Sequence, residues 1–154
     1  MVQIPVYVGA WQTVYSCKWY PREKTAIAIS MFYMEWNRTF GDPGNRVWRA
    51  MNRIYVDWSP QSRRGNAYNI TGDRVDDASF GGLALTPSYI WVKPHVDELM
   101  CETALAHELV HISIWAVKGT DGDPDHMGSK YHGWTVDHSA LIQRINDSLC
   151  SLGI

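Results

Sequence analysis

Residues 106–115 read AHELVHISIW, which places His107, Glu108 and His111 in the pattern H-E-x-x-H inside an otherwise apolar run. On a helix, positions four apart differ by only about 40° around the axis, so both imidazoles leave one face about a turn apart. Two ring nitrogens can then meet one Zn²⁺. Glu108, one step round from His107, lies beside that face and can take a proton from water that the metal has acidified toward neutral pH. Leu105, Leu109, Ile112 and Ala116 form a separate apolar stripe at helical spacing, so the helix has an anchor that does not use the histidines. A plainer alternative has the two histidines as a hydrogen-bonded interior pair, with Glu108 exposed or salt-bridged.

A catalytic zinc needs a third protein ligand and one open position. No glutamate follows Glu108, so an arrangement with a downstream glutamate ligand is unavailable. An H-E-x-x-H-x-x-G-x-x-H extension is also absent, because Ile114 and Val117 stand where glycine and histidine are required. The candidates that remain are His126, His132 and His138, with Asp121, Asp123, Asp125 and Asp137 as oxygen alternatives. The aspartates at 121–125 read as a solvated turn, and His138, inside the next helix, reads as a packed or solvent-facing residue. His95, before the metal-bearing helix, reads as an ordinary loop residue.

The elements that must position these groups follow from periodicity and punctuation. Glu23 in a first turn and Gly41, Pro43 and Gly44 beyond the end predict a helix over 22–39, with Ile27, Met31 and Met34 on its buried stripe. After a short segment of undecided type at Val47–Met51, Ile54, Val56 and Trp58 alternate with Tyr55 and Asp57, as in a half-buried strand. The polar stretch from Ser59 to Ser79 reads mostly as loop. GGLALTPSYIWVKP predicts one or two strands before Pro94. The metal-bearing helix is expected from about Asp97 to Lys118 and Gly119, and a closing helix from about 134 to 149.

At 154 residues, 45% of them apolar, the chain suffices for one hydrophobic core, and a single domain over 1–154 is expected. A formal charge of −2 argues against a broadly basic nucleic-acid platform. No basic leader or long apolar run appears, which predicts a soluble, cytoplasmic protein without membrane contact. The cysteines, Cys17, Cys101 and Cys150, are three in number and widely separated, and reduced buried thiols are expected. The eight tryptophans and eight tyrosines are expected to fill the core and line a cleft.

These residues resemble the SprT-like, Spartan-related zinc metalloproteases. HELVH resembles that family's metal-binding helix, His132-Gly133-Trp134 its histidine-glycine pair at the start of the next helix, and Arg144-Ile145-Asn146 the end of its closing helix. The likeness covers roughly residues 80–150. Val136 stands where the family commonly carries an aromatic residue, and Trp134 comes two positions early.

The resemblance implies an α+β, zincin-like fold: an N-terminal helix, a small twisted sheet, the H-E-x-x-H helix and a C-terminal helix. It implies His107, His111 and His132 as zinc ligands, with His126 the alternative third ligand, and Glu108 as catalytic base. In zincins generally an edge strand beside the metal helix pairs with extended substrate, and SYIWVKP is the expected edge.

The expected activity is zinc-dependent peptide-bond hydrolysis on a protein or peptide substrate, and nucleic-acid contact enters only through the resemblance. The competing reading is a non-enzymatic binding or structural domain, metal-free or with a closed zinc site, that contacts a protein or nucleic-acid partner. Oligomeric state is not legible here.

Overall fold

The structure is a computed structural model that describes residues 14–15, 22–68, 74–94, 99–119 and 133–154. Its class is α+β. The elements run β1 (Val14–Tyr15), α1 (Arg22–Phe40), α2 (Arg46–Met51), β2 (Tyr55–Trp58), β3 (Arg64–Tyr68), β4 (Arg74–Ser79), β5 (Gly82–Thr86), β6 (Tyr89–Val92), α3 (Leu105–Lys118) and α4 (Val136–Leu152). Four strands form one sheet in the order β1-β2-β6-β5, with β1, β2 and β6 parallel and β5 antiparallel to β6. Among the described residues no helix is long and apolar enough to cross a membrane.

α1 is the helix expected at 22–39, but its buried face is wider than the predicted stripe. Ala28, Ile29, Phe32 and Trp36 are the deepest positions, whereas Ile27 and Met34 are only partly covered. The cause is that α1 meets α2, α3, α4 and β1 at once. One side of this helix is held to the sheet by the Trp58 indole, which donates to Thr25 Oγ1 at 3.0 Å in the interior. At its far end Arg144 of α4 reaches Glu35 at 2.7 Å and Thr39 at 2.9 Å.

The segment of undecided type is α2, and Asp42 explains where it starts. Its carboxylate accepts from the backbone N–H groups of Val47 and Trp48 at 2.9 and 3.0 Å and from the Tyr33 hydroxyl at 2.8 Å. Helix N–H groups otherwise without partners are thereby satisfied, and both carboxylate oxygens are used. Val47 and Met51 turn inward and are fully buried.

Three expectations are corrected. The polar stretch after Trp58 holds an antiparallel pair, β3 with β4, which hydrophobic periodicity does not reveal because the pair is largely exposed. The strand YIWV is internal, between β2 and β5, and the sheet edge beside α3 is β5. The helix that carries the H-E-x-x-H pattern, expected from about Asp97, starts at Leu105, preceded by a short 3-10 turn at Met100–Glu102. It ends as expected, with Gly119 in the left-handed conformation at φ 79°.

The cysteines also depart from expectation. Cys101 and Cys150 form a disulfide across 49 residues of chain, with Cα atoms 5.3 Å apart. Spacing along the sequence is blind to this, because the closing helix returns its last turn to the segment just before α3. The Met100 N–H donating to the Ile154 carbonyl at 2.6 Å reinforces the same junction. Cys17 lies outside the described residues. Such bonds persist mainly in oxidising surroundings.

Alkylation without reductant should therefore modify one thiol of the three, read by intact mass. Reduction should lower Tm by roughly 5–15 °C, following the about 2–4 kcal/mol that a disulfide closing a long loop contributes. Three modified thiols before reduction would contradict the pairing.

Candidate metal centre

α3 carries its apolar side into the core. Leu105, Leu109, Val110 and Ile112 are buried, as is Ile114. This burial fixes the rotation of the helix about its axis and hence the direction of the residues between. His111 is 4% exposed, His107 is half-buried and Glu108 is 3% exposed. The Nε2 atoms of His107 and His111 are 3.2 Å apart. Ligand atoms of His107, Glu108 and His111 all lie within 4.8 Å of one another.

The donor set suits a metal. Two nitrogens on one tetrahedral zinc, each at about 2.0–2.1 Å, sit about 3.3 Å apart. The observed separation is close to that value, so the two rings need little movement to share an ion. It is also a hydrogen-bonding distance for two neutral imidazoles of suitable tautomer, which is how the pair is held without an ion.

The wall around the histidines is aromatic. Trp134 is buried, with its ring centroid 5.0 Å from that of His107 and 4.8 Å from that of His111. Its indole N–H donates to Ser139 Oγ at 3.0 Å, which fixes the ring plane from α4. Apolar cover of this kind keeps water from the back of an imidazole pair and lowers the local dielectric. Sequence reasoning noted Trp134 only as an aromatic out of place. Its position next to the His132-Gly133 pair was the signal available.

Behind Glu108 stands β5. A Cβ added at Gly82 would lie 2.9 Å from Glu108 Cγ, 3.1 Å from Ala104 Cβ and 3.2 Å from the Trp91 carbonyl oxygen. Only glycine lets the edge strand lie this close to the carboxylate-bearing helix. Among the described residues no strand pairs with the outer side of β5.

His132 and His126, the candidate third ligands, lie outside the described residues, as does His95. The chain is described again from Gly133, which has φ 91°. A side chain there would meet Lys118 Cγ at 3.4 Å and Ile114 Cγ2 at 3.6 Å. Ile114 is one turn along α3 from His111, so the residue after His132 packs near the histidine face. Asp121, Asp123 and Asp125 are outside the described residues too.

His138 is 7% exposed and packed within α4. Its ring lies 4.4 Å from that of Phe40 and 5.4 Å from that of Trp36. Nδ1 accepts from the Thr135 backbone N–H at 3.0 Å, closing the cap of the helix, so the ring proton resides on Nε2. Burial, with a smaller push from Lys118 and against the pull of Asp137, lowers its pKa from 6.5 to about 4. This histidine also lines a cavity of about 630 Å³ with Trp36, Phe40, Ile114, Lys118 and Gly133. The cavity opens along α3 beyond the histidine pair.

Compared with protein-family models, curated proteins and solved structures, the chain gives no match.

The folded chain keeps His138 neutral while the unfolded chain protonates it below its ordinary pKa. The stability this contributes is present above about pH 6.5 and is lost as pH falls toward about 4. The contribution has an upper bound of roughly 3 kcal/mol. His138→Gln keeps a capping acceptor without a titrating ring, so its denaturant-measured stability should fall less steeply than the parent's over that range. Parallel pH profiles for the two proteins would show that His138 does not carry the effect.

Proposed function

We propose that this chain is a zinc-dependent metallopeptidase of zincin type, in which Glu108 is the general base. The observation that carries the reading is the 3.2 Å approach of the two Nε2 atoms on one helix face, with the Glu108 carboxyl inside the same group. His107 and His111 would hold the ion, and His132 is the proposed third ligand. Gly133 and Trp134 support that choice, since they pack against Ile114 and against the histidine rings. Bound zinc supplies Lewis acidity toward a carbonyl oxygen and toward water.

The chain's own residues do the rest. Glu108 accepts the proton of the attacking water and delivers it to the leaving amine nitrogen, so no covalent acyl-enzyme is required. Its burial beside Gly82 restricts the carboxylate to the histidine side. β5, whose outer edge no described strand pairs, lies next to α3 and can align an extended substrate by main-chain hydrogen bonds. Trp134 excludes water behind the imidazoles. The large cavity along α3 offers apolar space for a substrate side chain.

Purified protein should contain about one zinc per chain and lose stability on chelation. Glu108→Gln should keep the zinc and a similar Tm while hydrolysis of an unfolded protein falls at least roughly a hundredfold. Unchanged hydrolysis in that variant would point to a contaminating protease or a mechanism without Glu108, and a parent protein inert on several unfolded substrates would favour a binding domain.

The third ligand has its own test. His132→Ala should weaken zinc binding strongly, and His126→Ala should leave it nearly unchanged. A titration with the reverse order would transfer the role to His126.

A further inference from the structure

On the back of α3, away from the histidines, three arginines gather without partners among the described residues. Arg46, Arg49 and Arg53 project from α2 and the turn that follows it, at spacings of three and four residues. That spacing puts Arg46 and Arg49 on one side of α2, and Arg53, in the turn, faces the same groove. They line a groove of about 480 Å³ whose other walls are Pro87 and Ser88, in the β5–β6 turn, and Ala116 of α3. Ala116 lies about half a turn round α3 from His107, so the groove and the metal centre are separate.

The charge of this groove is unbalanced. All three side chains are exposed, and no described residue gives any of their guanidiniums a hydrogen bond or an ion pair. No acid is found among the described lining residues. The two carboxylates nearest in sequence are otherwise engaged, Asp42 with Tyr33 and the start of α2, and Asp57 with the Tyr89 hydroxyl. Three like charges within two helical turns repel one another, and in a chain of net charge −2 their grouping is not a by-product of composition. An anion in the groove removes that repulsion.

We infer that this groove binds a compact oligophosphate, a small molecule carrying two or three linked phosphates. Guanidinium matches phosphate oxygens in a planar, two-pronged way, which favours phosphate over a diffuse counterion. One phosphate, with four oxygens, has too few to give each of three guanidiniums its own two-pronged contact, whereas linked phosphates have enough. The volume is that of a small-ligand pocket, and the β5–β6 turn closes one side. A polymer tracking an open surface stripe would need no such wall. Ser88, exposed at the rim, adds a hydroxyl able to donate to a terminal phosphate oxygen.

The test is a titration of the zinc-loaded full chain with inorganic tripolyphosphate, followed by NMR of the arginine Nε–Hε groups. Signals are assigned with single Arg→Lys variants, a residue-specific readout that chelation of zinc does not mimic. Signals of Arg46, Arg49 and Arg53 should shift together and saturate with Kd below about 1 mM. Arg49→Ser should weaken binding about tenfold. The triple serine variant should abolish it without unfolding the chain, read as a Tm within a few degrees of the parent's, since no described residue bonds these side chains. Sulfate at matched ionic strength should give no saturable shift. Uniform small shifts at all arginines, or no saturation, would overturn the proposal as ionic screening only. A single-stranded oligonucleotide that engages the three arginines when tripolyphosphate does not would overturn it in favour of a nucleic-acid backbone.

Discussion

The structure depends on one constraint: α3 must be gripped on its apolar side so firmly that its polar side can present two imidazoles and a carboxylate to the same small volume. Leu105, Leu109 and Ile112 supply that grip by burial against the sheet and α1. Each is worth about 1.5–3 kcal/mol relative to exposure, and beside them His111 and Glu108 are held under 5% exposed. Rotating α3 by one residue, about 100°, would take the leucines out of their packing and turn the imidazoles away from each other's shared volume toward other neighbours. Packing energy therefore sets the geometry of the polar site.

The neighbours of α3 refine that geometry. β5 reaches Glu108 only because residue 82 lacks a side chain, and α4 contributes Trp134 over the histidines through a short helix-start segment capped by Thr135 and His138. α4 is in turn tied at its middle and near its end. Arg144 holds it to α1, and the Cys101–Cys150 bond joins its last turn to the segment before α3. α3 and the helix that covers its histidines are thus fastened near the start of one and the end of the other, which limits how far they can part.

Much of this was legible in the sequence where local chemistry and burial agree. The 3.6-residue apolar period of α3, the glycine ending it at 119 and the alternation of Val56 and Trp58 each report a local rule that tertiary packing leaves intact. What was not legible is long-range. The disulfide needs the position of the C-terminal turn against the segment before α3, and neither cysteine's neighbours encode it. The internal place of YIWV follows from a parallel pairing with β2 some thirty residues away, which alternation cannot reveal. The β3–β4 pair carries polar residues on a largely exposed surface, so no apolar period marks it. The role of Trp134 as the lid on the histidines emerges only when α4 is folded back on α3. His132 was read from its dipeptide and its place before a helix, and the packing of Gly133 and Trp134 adds support for it.

The central claim is that His107 and His111 belong to a zinc site with an open position. X-ray absorption at the zinc edge of the purified protein tests it most directly. The account predicts a four-coordinate spectrum of nitrogen and oxygen scatterers at about 2.0–2.1 Å, with the outer-shell signature of imidazole from three histidines and no sulfur. A sulfur shell at about 2.3 Å, a six-coordinate oxygen environment, or no protein-bound zinc would contradict it.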